Sequence, residues 1–400
     1  MKRPLLYILS FVILASLMLA IALYIPNTIP AGNDFSGMYY AELALVHGVD
    51  IYDLPAIEQL ARAASPEIPT DKFNFPPFLY PPWYILSGFY LGLLPAQAAA
   101  TLWFEINLIL LFLSIWFLTD GWDGRMRLVS FLLGIIFLPV IGAMVVGQFV
   151  FPLFLGASIL MYSLRRENVA LTTLGAVLLT FKPHLGALIL LSVLAWLVVS
   201  RSNPGRRATR SIVVTGIILV LISLPADPKW LVRYPSLLLG LSSNYGQSES
   251  VELCSACANL PVYLSRWFFD GSLSKAALIA LALFIVLCIL FYRVRFALLK
   301  QPELFLNAAL IITMLVSPYL FNYDFILLLV PFAVLARESN RIEKIIIGAC
   351  YLAPTILIAI YEREGNVSLI ISSLIIAALL FLRAKNQVDA NRLASYNTNT

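Results

Sequence analysis

Charge is scarce in this chain: its 400 residues include 27 Lys+Arg and 22 Asp+Glu, 12% in all, about half the share of an ordinary soluble domain. That scarcity excludes a soluble enzyme or a disordered chain as a description of the whole. Histidine is scarcer still, since His47 and His184 stand alone and are too few and too far apart to suggest a metal site. Four cysteines cannot form the framework of a secreted disulfide scaffold. Cys254 and Cys257 make a Cys-x-x-Cys without a thioredoxin-like context, so an oxidising compartment would permit a short disulfide there or no bond. No Asp-x-Asp metal pair occurs in residues 26–77, and no Gly-rich phosphate loop occurs anywhere. The expectation is therefore no metal and no nucleotide cofactor. A net charge of +5 does not by itself imply nucleic acid.

What the chain has instead is apolar surface. Hydrophobic residues make up 60% and the mean hydropathy is +0.88, more than one water-facing globule could cover. Thirteen apolar stretches follow one another, at 5–25, 78–95, 98–118, 128–147, 149–164, 169–182, 184–200, 211–225, 275–292, 304–320, 324–336, 345–361 and 367–383. Between them lie basic clusters: Lys2/Arg3, Arg125/Arg127, Arg165/Arg166, Arg201 to Arg210, Arg293/Arg295/Lys300, Arg337/Arg341/Lys344 and Arg383/Lys385. Lys and Arg stay on the cytoplasmic side of a bilayer, and an even number of crossings is needed to put both ends there. The stretch 78–95 is the one to remove, because Pro76, Pro77, Pro81, Pro82 and Pro95 interrupt it and Trp83 and Tyr84 suit an interface. It reads as a re-entrant or interfacial segment.

The expected fold is thus an all-α polytopic bundle of about twelve transmembrane helices, a single membrane domain over 1–383. Both termini are cytoplasmic, the first span is an uncleaved anchor, and residues 384–400 form a polar, disordered tail. With this assignment 19 of the basic residues are cytoplasmic and 14 of the acidic ones lie outside. The two long loops, 26–77 and 226–274, face outward. In the first, residues 36–46 and 54–64 show helical spacing that reads as amphipathic helices at the interface.

The polar residues that need explaining collect on the outer side. Asp34, in Gly32-Asn33-Asp34-Phe35-Ser36, is either the cap of a helix or a general base for a sugar hydroxyl; Asp50 and Asp53 read as turn and cap residues. Lys182, in Thr180-Phe181-Lys182-Pro183-His184, is an ionisable group at the end of a span and a functional candidate on that ground. Phosphate is its natural partner, and the bland alternative is a snorkelling anchor. His184 either assists phosphate binding or caps the helix. Gln148, Asn322, Tyr323 and Asp324 fall at outer hairpins, where polar side chains could read hydroxyls or serve the turns alone, and Tyr80, in the stretch 78–95, lands on the same face as a further substrate-binding candidate. Glu105 lies within a span, and Cys288 and Cys350 in spans read as packing residues.

Taken in order, several of these segments resemble glycosyltransferase family 87, which includes bacterial α-mannosyltransferases. The carriers are Gly32-Asn33-Asp34-Phe35-Ser36 with Tyr39-Tyr40 and Gly48 to Asp53, Tyr80-Pro81-Pro82, Gly147-Gln148, Lys182-Pro183, and Ser317-Pro318-Tyr319 with Tyr323-Asp324. The resemblance implies a GT-C-type bundle with an outer-face cavity and a catalytic acid in the first outer loop, a position that Asp34 matches. It also implies a sugar donor on polyprenyl phosphate, mannose being the family's commonest association. The acceptor would be a lipid or glycan, and the reaction an inverting displacement at the outer face of a bacterial inner membrane, with no sugar nucleotide. Two rival readings are a secondary transporter and a non-catalytic subunit of envelope polysaccharide assembly. Against the first, there are no matching halves of six spans and the polar residues gather at the outer edge rather than at mid-bilayer. The second would not need both Asp34 and Lys182.

Overall fold

The computed structural model describes residues 34–66, 76–237, 257–269, 272–317 and 319–397. The first candidate span, 5–25, lies outside them. Among the described residues the fold is helical, and the extended pairing is a single bridge between Cys257 and Phe321.

Local sequence explains where the helices start and stop. Asp123, Asn168 and Asn259 each precede a helix and accept backbone N–H bonds from its first turn, as in Asn168 Oδ1 to Leu171 N–H at 3.0 Å, so four orphan donors are satisfied, two of them by Asp123. Pro183, Pro261 and Pro302 occupy first-turn positions, where a missing N–H costs nothing. The stretch 128–147 is broken: helix Gly124–Ile136 ends at an extended Phe137, and helix Leu138–Val145 leaves at 58° to it. Pro139 explains the break, since it cannot donate to a continuing ladder. The stretch 78–95 is no straight span either, being a short helix Pro82–Gly88 followed by a 3-10 turn Phe89–Leu93.

Among the described residues five helices are long and apolar enough to cross a bilayer alone, and six if the bent pair counts as one. They are Ala96–Leu118, Pro183–Ser200, Ser274–Tyr292, Arg341–Tyr361 and Val367–Ala390. The expected twelve therefore exceeds what the described helices meet by length. Val150–Arg165 has 16 residues and Val169–Leu179 has 11, about 24 and 17 Å at 1.5 Å per residue, short of a core of about 30 Å. Val150–Arg165 is buried along nearly its whole length, so protein rather than lipid surrounds it. The long helices show the opposite pattern, with Leu191, Val198, Leu278 and Ile285 exposed.

Two compact units emerge, one from Met1–Leu110, Ala143–Gln148 and Val220–Leu237, the other from Leu111–Gly142, Phe149–Leu219 and Leu238–Thr400. In the first, helix Asp34–Val46 is buried on all sides from Phe35 to Ala44. The expected interfacial helix over 36–46 is thus an interior one, because Tyr39, Tyr40, Met38 and Leu43 distribute apolar contact around the whole circumference. Helix Leu54–Ala64 does have two faces, burying Ile57 and Ala61 and exposing Glu58, Gln59 and Ala63.

In the second unit, glycine brings helices close: a Cβ at Gly156 would lie 2.8 Å from the Gly175 carbonyl, and one at Gly175 would lie 2.9 Å from that of Gly156. Small residues of this kind let membrane helices pack backbone to backbone. Ion pairs then join Arg165 to Glu303, Arg166 to Asp120 at 2.8 Å and Arg383 to Glu338 at 3.5 Å. All six residues belong to segments that the charge alternation puts on one side. The final helix runs from Val367 to Asn397, through the stretch read above as a disordered tail. Ala384, Lys385, Gln387, Arg392 and Ala394 favour helix and no Gly or Pro intervenes, so a helix already nucleated in the span propagates.

Candidate functional site

Asp34 opens its helix and sits against the turn that follows Val145. Phe35 N–H donates to the Val146 carbonyl at 3.1 Å, and Trp103 Nε1–H donates to the Gly147 carbonyl at 2.9 Å. Gly147 has φ +65°, and a Cβ there would stand 2.6 Å from the Phe35 Cβ, so conformation and closeness both demand glycine. The turn delivers Gln148, which is 2% exposed, and its Nε2 donates to Asp34 Oδ2 at 2.7 Å. The structure therefore joins two candidates 114 residues apart. A carboxylate held by a buried amide has its rotamer fixed while remaining an acceptor of protons.

Tyr80 belongs to the same unit but is anchored differently. Its carbonyl accepts from the Tyr52 hydroxyl at 2.8 Å, and its ring lies 5.5 Å from Phe78 and 5.6 Å from Tyr84. Tyr84 in turn donates to Met38 Sδ at 3.1 Å, on the Asp34 helix. Further along that helix stands Glu42, which no motif singles out. It is fully buried, with no hydrogen-bond partner on either oxygen among the described residues. A Cβ at Gly88 would lie 2.1 Å from its Oε1, and one at Gly92 would lie 2.6 Å from its backbone carbonyl. Burial holds its carboxyl well above the usual range, because the charged form loses its hydration.

The second unit holds the other cluster. Helix Val169–Leu179 ends, and Lys182 caps the next helix, whose first residue is Pro183. The turn is tight enough that a Cβ at Gly186 would be 1.8 Å from the Leu179 carbonyl. Lys182 is 1% exposed, and its Nζ pairs with Asp324 Oδ1 and stands 5.0 Å from the Tyr323 ring centre. Asp324 has no exposed surface, and its Oδ2 accepts from Phe321 N–H at 3.0 Å. Its carboxylate is thus engaged by a cation and a backbone donor. Tyr323 is 7% exposed and stacks on Phe321 at 5.2 Å, while Asn322 is half-buried.

Ala258 N–H donates to the Leu320 carbonyl at 2.9 Å, and Cys257 bridges Phe321, so the segment after the Cys-x-x-Cys lines the turn that carries Asp324. Cys257 is disulfide-bonded, its partner outside the described residues, while Cys288 and Cys350 are free thiols. His184 is exposed beside Lys182. Lys182 therefore meets Asp324 and Tyr323 where the sequence suggested phosphate. A signal for the pairing did exist, since Lys182 and Asp324 are opposite charges at the outer ends of two apolar stretches. Among the described residues no three His, Cys, Asp or Glu side chains could hold a metal ion together.

The chain belongs to glycosyltransferase family 87, whose family model matches residues 78–318, more than half of the 400. No curated protein and no solved structure matches it. Family membership makes this a membrane glycosyltransferase rather than a transporter or a non-catalytic subunit. The matched region contains Tyr80, Gln148, Lys182 and His184, whereas Asp34 precedes it and Asn322, Tyr323 and Asp324 follow it.

Proposed function

We propose that this glycosyltransferase takes a sugar, mannose first among candidates, from a polyprenyl-phosphate donor and transfers it to a lipid or glycan acceptor at the outer face of the bacterial inner membrane. Asp34 is the general base. It accepts the proton of an acceptor hydroxyl as that oxygen bonds to the anomeric carbon, and the bond from this carbon to the phosphate oxygen breaks with inversion. The observation that carries this reading is the bond from the buried Gln148 amide to Asp34 Oδ2 at 2.7 Å, which holds the carboxylate in one orientation. A positioned base of this kind contributes about 10²- to 10⁴-fold.

Lys182, with His184 beside it, is the donor-phosphate group in this reading. An ammonium is a point charge with three donors, so a phosphate would draw on Lys182 in competition with Asp324, its partner in this structure. Tyr80, Asn322 and Tyr323 contact substrate, and Asp324 acts through Lys182. The outer-face assignment is supported by the disulfide at Cys257, which requires an oxidising compartment, and by its bridge to the turn before Asp324.

The test is transfer of radiolabelled mannose from synthetic polyprenyl-phosphate-mannose by the purified protein, with extracted envelope lipids as acceptor. Asp34→Asn should bind donor as wild type does and lose transfer at least about 100-fold. Equal transfer by the two proteins removes Asp34 from the chemistry. Transfer from other polyprenyl-linked sugars alone replaces mannose, and transfer from none rejects the donor class.

A further inference from the structure

An open cavity of about 550 Å³ lies in the first unit, lined by Asp50, Tyr52, Asp53, Arg233 and Ser236, within the range of about 300–1,000 Å³ typical of ligand sites. Two segments far apart in sequence build it: the turn between helices Asp34–Val46 and Leu54–Ala64, and the helical segment 230–237.

The groups facing this space are a matched set. Arg233 Nη1 pairs with Asp50 Oδ2 and lies 3.8 Å from Asp227 Oδ2, which leaves Nε and Nη2 as donors with no partner among the described residues. Asp50 Oδ1 accepts from Tyr52 N–H at 3.0 Å, so this carboxylate is used up in shaping the turn and aiming the guanidinium. Asp53 Oδ1 caps the next helix through Ala56 N–H at 3.2 Å, and its Oδ2 has no partner among the described residues. Arg233 and Asp53 are both exposed. Beside them, Tyr52 lines the cavity, its half-buried ring backed by the buried rings of Tyr234 at 6.0 Å and Phe78 at 6.3 Å.

From these groups we infer that the cavity is a binding site for a neutral saccharide, the part of the acceptor glycan remote from the reacting hydroxyl. A sugar hydroxyl donates to one neighbour and accepts from another, which suits a free carboxylate oxygen next to free guanidinium donors. An anion would face two carboxylates against one guanidinium, and an apolar ligand would leave the charged groups desolvated and unpaired. The Tyr52 ring, held in place by the rings behind it, suits the C–H face of a pyranose. The cavity also connects to residues already described, because Tyr52 donates to the Tyr80 carbonyl and Tyr80 packs on Tyr84, which bonds to Met38 of the Asp34 helix.

The acceptor role rests on the proposed transferase reaction, but the binding site can be tested without turnover. Saturation-transfer NMR on the full-length protein in lipid nanodiscs reads binding of neutral methyl disaccharides of the manno, gluco and galacto series, with a uronic-acid disaccharide as the anionic control. Wild type and Asp34→Asn should bind a neutral member of the set equally and the anionic one more weakly. Arg233→Lys keeps the charge beside Asp50 and Asp227 but loses the planar fork, and Asp53→Ser keeps the helix cap but removes the free oxygen. Each should weaken binding about tenfold with an unchanged melting temperature.

The inference is overturned if no neutral disaccharide binds, if the anionic one binds more tightly, or if both variants bind as wild type does. Binding that persists with this dependence while no polyprenyl-linked sugar is transferred would reject the proposed donor and keep the site.

Discussion

Lys182 and Asp324 place two full charges where neither meets water, with side chains 2% and 0% exposed. Removing one partner strands the other, so Lys182→Met should lower stability by about 3–5 kcal/mol, whereas Lys182→Met with Asp324→Leu should recover most of it. If Lys182 also binds the donor phosphate, the double variant melts near wild type yet keeps a raised donor KM; a normal KM would make the pair purely structural. Gln148→Leu should leave the fold intact and lower kcat by about tenfold or more, the worth of one hydrogen bond to a charged group. Glu42 gives a pH signature whose sign follows from its raised folded-state value. Below the ordinary carboxyl value of 4.5 it is protonated in both states and contributes nothing. As pH rises past that value the unfolded state ionises first, and stability falls until the folded-state value is passed. Glu42→Gln should flatten this fall, measured as melting temperature in detergent from pH 4 to 9.

At the scale of elements, the glycines decide how near two pieces of backbone come. Gly186 lets the Lys182 turn fold against Leu179, where a Cβ would meet a carbonyl at 1.8 Å. Backbone cannot give way as a side chain end can, so Gly186→Ala should cost about 1–3 kcal/mol and weaken donor binding by shifting Lys182. Gly216, in helix Asn203–Ser223, has nothing within 4 Å of its would-be Cβ. Gly216→Ala should therefore be neutral or stabilising by up to about 1 kcal/mol, and the contrast in melting temperature separates packing from propensity. The cap at Asp53 and the interruption of 78–95 by its prolines were legible in the sequence, whereas the break at Phe137 was not, since 128–147 reads as one apolar stretch. The burial of helix Asp34–Val46 was not, because spacing along one helix says nothing about whether a second layer covers its other face.

For the whole molecule, the orientation is the statement to test. Gln59 lies in the first outer loop and Arg207 in a basic connection assigned to the cytoplasm, and both side chains are exposed. In a Cys288→Ser background, a membrane-impermeant maleimide should label Gln59→Cys on intact cells and Arg207→Cys only after lysis. The reverse pattern would invert the topology and put the candidate site on the cytoplasmic side. The number of crossings is a separate matter, because short buried helices such as Val150–Arg165 can reach only as far as their neighbours shield them.

Scarce charge and apolar runs determined the membrane class and the helical fold, since both follow from the cost of burying charge and unpaired backbone in hydrocarbon. The same reasoning singled out Asp34, Gln148, Lys182 and Asp324 one at a time. Which of them meet was decided only by the tertiary structure. Gln148 reaches Asp34 across 114 residues and Lys182 reaches Asp324 across 142, and contacts at such separations depend on how helices pack, which no local spacing records. The unpartnered Glu42 and the Arg233–Asp50 pair belong to the same category, because burial and pairing are properties of a filled volume rather than of a string.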